Sequence, residues 1–70
     1  MKAQKKPLNR GLEAKRLLAA LKSVGTPETE IAFRTGASIH SVWRWRDGTR
    51  APLPFYFNAL KDFAHSKGIE

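Results

Sequence analysis

The sequence predicts an all-α fold, a compact domain of four to five helices around a central pair of short ones. Three observations carry that prediction. Apolar residues recur at spacings of three and four, at Leu17, Leu18 and Leu21 and again at Phe57, Leu60, Phe63 and Ala64, which puts each set on one helix face. Between them, two short segments each open on a capping residue and close on glycine, Thr26 to Gly36 and Ser38 to Gly48. Runs such as Phe55-Tyr56-Phe57 suit a strand by propensity alone, but the spacing that follows them favours helix.

Taken in order, the first helix is expected from Asn9 or Arg10 to Ser23, where Leu12, Ala14, Ala19 and Ala20 add helix propensity and Val24-Gly25 ends it. The second starts at Thr26-Pro27-Glu28. There Thr26 serves as N-cap, Pro27 suits the first helical position, and Glu28 and Glu30 favour the positive end of the dipole. Ile31 and Ala32 face inward, and the helix stops by Thr35-Gly36. Ser38 caps a third helix running from Ile39 to about Asp47. Two short helices joined by about four residues including a glycine make a helix-turn-helix, with motif helices at about 27–35 and 38–47. Thr49 to Pro54 is a linker, because proline restricts the residue before it. The last helix is expected from Pro54 to about Lys67.

The chain has 70 residues, enough for one domain. A chain of this size buries roughly 60% of its unfolded surface, so the core is small and large multi-layer enzyme folds are excluded. Cysteine is absent, which removes disulfide frameworks and thiolate metal sites. No apolar run approaches the ~20 residues that span a bilayer, and no signal-peptide apolar core follows the basic start. The expectation is a soluble protein of a reducing compartment, most simply the cytoplasm.

Lysine and arginine number 13 against 6 acids, for a net charge of +7. A small domain so basic is expected to bind a polyanion, of which nucleic acid is the commonest. The charge is uneven. Residues 1–10 carry Lys2, Lys5, Lys6 and Arg10 without an acid, and residues 38–50 carry Arg44, Arg46 and Arg50 against Asp47. Residues 1–9 are expected to form a flexible basic arm preceding a domain at 10–70. Such an arm either follows the DNA backbone and minor groove, through Lys5 and Lys6, or only aids solubility.

From Gly25 to Pro52 the chain reads GTPETEIAFRTGASIHSVWRWRDGTRAP. This resembles the Cro/repressor-type, Xre-like helix-turn-helix family of phage and bacterial transcription regulators. Glu30-Ile31-Ala32 matches the acid, aliphatic and alanine of the first motif helix. Gly36-Ala37-Ser38 matches the turn and the cap of the recognition helix, Val42 and Trp45 its buried positions, and Gly48-Thr49-Arg50-Ala51-Pro52 the run that ends it. Leu18 and Leu21 before the motif, and Leu60 with Phe63-Ala64 after it, fit the flanking helices, so the likeness covers residues 12 to 68. It implies a lambda-repressor-like DNA-binding fold, and binding as a homodimer to an inverted-repeat operator. The chain departs from the pattern at three places. Glu28 stands where the family usually has a phosphate-touching Gln, and a carboxylate there repels phosphate. Arg46 stands where the family often has a Glu paired to a basic residue of the first helix. That partner position is Leu21 here, so the expectation is an Arg46 without that pair, available for other work. Trp43 is unusual on the exposed side.

A helix turns about 100° per residue, so Val42 and Trp45 share the inward face while His40, Trp43, Arg44 and Asp47 lie opposite. Ile39, near the helix start, joins His40, Trp43 and Arg44 as candidate base-reading residues. Arg44 fits best, because its planar fork matches the two guanine acceptors of the major groove; a phosphate contact or a solvated charge is the other reading. His40 can donate to or accept from a base or phosphate, or stand at the surface without a role. Ile39 either meets a thymine methyl or packs on the turn. Trp43 either lies on the DNA or is half-buried against the last helix or a partner. Ser38, Ser41, Arg46, Thr49 and Arg50, with Arg34 as a weaker candidate, are expected at the backbone, where contacts position the protein without specifying sequence.

Three classes of function compete. The first is a sequence-specific DNA-binding regulator, a Cro-like repressor acting in the cytoplasm of a bacterial or phage-infected cell. The second is an antitoxin-type or anti-CRISPR-associated regulator that also binds a protein partner, since fold alone does not decide function. The dimer surface is expected on the last helix at Phe55 and Tyr56, unless those rings wrap into the core. The third, an enzyme, lacks support: there is no phosphate-binding glycine loop and no His–acid cluster with catalytic spacing. No cofactor or metal is expected, because His40 and His65 are the only histidines and a zinc site takes four ligands.

Overall fold

Ala14, Leu17, Leu18 and Leu21 fall at i, i+3, i+4 and i+7, so a helix through them carries one apolar stripe. In the computed structural model, which describes residues 10–69, that helix is α1, Arg10–Ser23, and all four side chains are buried. Its end is tied by two backbone bonds. The Gly25 N–H donates to the Lys22 carbonyl at 2.9 Å and the Thr26 N–H to the Leu21 carbonyl at 3.0 Å, the paired pattern that satisfies the last free carbonyls of a helix.

The second helix, α2, spans Glu28–Thr35, and its start corrects the sequence reading. Pro27 takes the N-cap position in extended conformation, and its carbonyl accepts from the Glu30 and Ile31 N–H groups at 3.1 and 3.2 Å. Thr26 is not the cap. Its own N–H is committed to closing α1, and the residue is 5% exposed with a hydroxyl that has no hydrogen-bond partner among the described residues. At the far end Gly36 adopts φ 81°, the left-handed region open to glycine, and donates its N–H to the Ala32 carbonyl. The Thr35 hydroxyl turns back to the Ile31 carbonyl at 2.8 Å.

Gly36-Ala37-Ser38 leads into α3, Ile39–Asp47. Ser38 caps it as expected, its Oγ accepting from the Ser41 N–H at 3.1 Å. Gly48 stops it at φ 81°, with the stem of Lys15 from α1 lying 3.6 Å from where a Cβ would stand. After the linker, α4 runs Pro54–Ser66 with proline in its first turn, where the missing N–H costs nothing.

α1 and α2 each pack against both α3 and α4. The core between them holds Ala14, Leu17, Leu18 and Leu21 of α1, Ile31 of α2, Val42 and Trp45 of α3, and Phe57, Leu60, Phe63 and Ala64 of α4. Each fully buried Leu, Ile, Val or Phe contributes about 1.5–3 kcal/mol. The result is compact and all-helical, with four helices and no strand among the described residues. The expected arm at 1–9, with Lys5 and Lys6, lies outside the described residues.

Candidate nucleic-acid interface

α3 is divided sharply between core and solvent. Val42 and Trp45 are 0% and 2% exposed, three residues apart on the inward face. His40, Trp43, Arg44, Arg46 and Asp47 are exposed, and Ile39 and Ser41 are half-buried. Of the four candidate base-reading residues, the structure brings His40 and Trp43 together, their rings edge to face with centroids 5.1 Å apart. Trp43 keeps 39% of its surface exposed. Arg44 follows in the last turn, exposed and without an ion pair among the described residues.

The expected backbone-contacting residues separate into distinct settings. Ser38 and Ser41 are coupled, the two hydroxyl oxygens 3.1 Å apart. Thr49 folds back on α3: its N–H donates to the Arg44 carbonyl at 3.0 Å and its hydroxyl to the same oxygen at 3.3 Å. Arg50 is exposed and shares the rim of a cavity of about 160 Å³ with Ser41, Trp45, Leu53 and Tyr56. Arg34 stands apart from these. It sits in the last turn of α2, and its guanidinium lies 5.0 Å above the Phe63 ring of α4.

Arg46 requires the main correction. It is not free of acidic partners. Its Nη1 donates to both Glu28 carboxylate oxygens, at 3.1 and 3.0 Å, and its Nε donates to Asp47 Oδ1 at 3.0 Å. The hydrogen bonds to Asp47 first and Glu28 second hold the guanidinium pKa above its ordinary value. No pair with α1 is seen among the described residues, as expected, but Glu28 reaches Arg46 from the start of α2, across the turn, and Asp47 is its neighbour on α3. On α1 itself Arg16 pairs with Glu13 one turn earlier, and this hydrogen bond holds the Glu13 carboxyl below its ordinary value.

Several features have no counterpart in the sequence reading. The Glu28–Arg46 pair is one. The exposure of Phe33 on α2, at 83%, is another, although the stepping of Ile31 and Ala32 inward was a signal that Phe33 turns out. Phe55 and Tyr56 touch edge to face, centroids 5.4 Å apart, but differ in burial: Phe55 is 74% exposed, while Tyr56 is half-buried against Trp45. Among the described residues no helix is long and apolar enough to cross a membrane. Comparison of the chain with protein-family models, with curated proteins and with solved structures gives no match.

Proposed function

We propose that the chain is a sequence-specific DNA-binding regulator, a repressor of the Cro type, in which α2, Gly36-Ala37-Ser38 and α3 act as a helix-turn-helix. One observation carries the reading: α3 sinks Val42 and Trp45 into the core and turns His40, Trp43 and Arg44 out to solvent. A helix anchored that way is a rigid rod with a readable outer face, and a B-DNA major groove admits one helix. Arg44 supplies the bidentate fork for guanine, His40 a donor or acceptor, and Ile39 and Trp43 apolar surface for a thymine methyl. Ser38, Ser41, Thr49 and Arg50 flank this face and serve phosphates. The net charge of +7 supplies the sequence-independent attraction. One recognition helix covers few base pairs, so the working form is a homodimer on an inverted repeat with half-sites about one helical turn apart.

A second reading, a regulator that also docks a protein partner, draws support from Phe33 and Phe55, which lie exposed on α2 and α4. Selection of bound duplexes from a random DNA pool at moderate salt tests the first reading. The expected result is an enriched inverted repeat. An enriched single half-site would point to a monomer or a partner-assisted reader, and no enrichment would overturn sequence-specific binding.

A further inference from the structure

The ion-paired cluster at the junction of α2 and α3 is neutral overall on a strongly basic chain. On a chain of net charge +7, the exposed Arg46 is ion-paired through Nε and Nη1 to two carboxylates, Asp47 and Glu28, at 3.0–3.1 Å. Glu28 stands in the first turn of α2, and with Lys22, Thr26, Pro27 and Arg46 it lines a cavity of about 270 Å³. The formal charges of Lys22, Glu28, Arg46 and Asp47 cancel, so a phosphate approaching this junction meets no net attraction. A phosphate seated on Arg46 also has to displace Glu28 and Asp47 or share the guanidinium with them at close like-charge range.

We propose that Glu28 is an intramolecular competitor of the DNA backbone, which with Asp47 occupies Arg46 and lowers affinity for every duplex alike. The proposal rests on the DNA-binding reading above. In it Arg46 is a held cation rather than a phosphate contact, and the operator is chosen by other residues of α3. Weak sequence-independent binding has a consequence for a repressor: less of the protein is retained on the many competing sites of a genome.

The test is the salt dependence of binding to two short duplexes, one carrying the selected sequence and one scrambled. Wild type, Glu28→Gln, Arg46→Gln and the double variant are compared, with helicity and thermal midpoint recorded for each. Each phosphate neutralised contributes about −0.9 to the slope of log K against log salt. Glu28→Gln is expected to bind both duplexes severalfold more tightly with a slope steeper by about 0.9, one further phosphate. Arg46→Gln alone is expected to leave the slope unchanged, and the double variant to lose the gain. If Glu28→Gln binds no better or more weakly, or if the gain survives loss of Arg46, the proposal is overturned. Should Glu28→Gln not fold, Asp47→Asn removes the carboxylate on Nε while Glu28 stays on Nη1, and is expected to move the slope in the same direction by less than one phosphate; an unmoved slope overturns the proposal. Wild type that binds neither duplex even at low salt overturns the DNA-binding reading itself, whereas wild type that binds, with variants that do not differ, overturns only the role of Glu28.

Discussion

The rings of Trp45 and Tyr56 lie 5.9 Å apart, centroid to centroid, and 41° from parallel. This contact fixes the exposed face of α3 relative to the start of α4. Trp45 is 2% exposed and Val42 fully buried, so these two side chains anchor the helix that carries the candidate reading surface. Truncating the larger of them removes transfer energy and leaves a cavity. Trp45→Ala is expected to cost about 3–5 kcal/mol, a large share of the 5–15 kcal/mol that holds a typical domain. Urea denaturation followed by circular dichroism measures this, and a variant with the wild-type midpoint would refute the anchoring role.

Thr26 offers the opposite kind of change. Its hydroxyl is buried without a partner among the described residues, and an unmet buried polar group costs about 1–3 kcal/mol. Valine has the same branched shape and no hydroxyl. Thr26→Val is therefore expected to raise stability by about 1 kcal/mol, read as a higher urea midpoint at unchanged m-value. A fall in the midpoint would mean that the hydroxyl is bonded in solution, for example to water.

Glu13 gives a pH signature. Its hydrogen bond from Arg16 lowers its pKa in the folded state from an ordinary 4.5. A depressed carboxyl contributes stability that is fully present above pH 4.5 and is lost as pH falls through the folded-state value. Both side chains reach solvent, so the effect is small and screened by salt. Glu13→Gln is expected to flatten the dependence of the thermal midpoint on pH below 4.5 and to leave the neutral-pH midpoint slightly lower. Identical acid profiles for the two proteins would remove the pair from the account.

These residues also mark what a sequence carries and what it does not. Leu17, Leu18 and Leu21 declare α1 because burial of a helix face repeats at fixed spacing, and Ser38 and Gly48 bound α3 because their chemistry suits only its two ends. The inward turn of Val42 and Trp45, and so the outward turn of His40, Trp43 and Arg44, follows from the pitch of the helix alone. Thr26 misleads for a different reason. Capping depends on where the helix begins, and the closing bond from the Thr26 N–H to Leu21 shifts that start by one residue. Glu28 and Arg46 are 18 positions apart, and whether they meet depends on how α3 lies against α2, a tertiary relation that no local pattern encodes. The burial of Tyr56 has the same origin, since its ring lies against Trp45.

Under the proposed DNA-binding function, Arg44 is the residue that tests specific against general binding. It is exposed, free of ion pairs among the described residues, and one position beyond Trp43 on the outer face of α3. A bidentate contact to guanine is worth about 1–3 kcal/mol of discrimination, so Arg44→Ala is expected to weaken the selected sequence by that amount and the scrambled duplex by much less. The selected motif should then relax at one position in each half-site. Arg44→Lys separates shape from charge, because an ammonium keeps the attraction but lacks the planar fork; it should restore general affinity without restoring the preference. Competition titrations of both variants against the two duplexes read these quantities directly. If Arg44→Ala weakens both duplexes equally and flattens the salt slope by about 0.9, Arg44 contacts a phosphate, and base recognition falls to His40, Ile39 and Trp43.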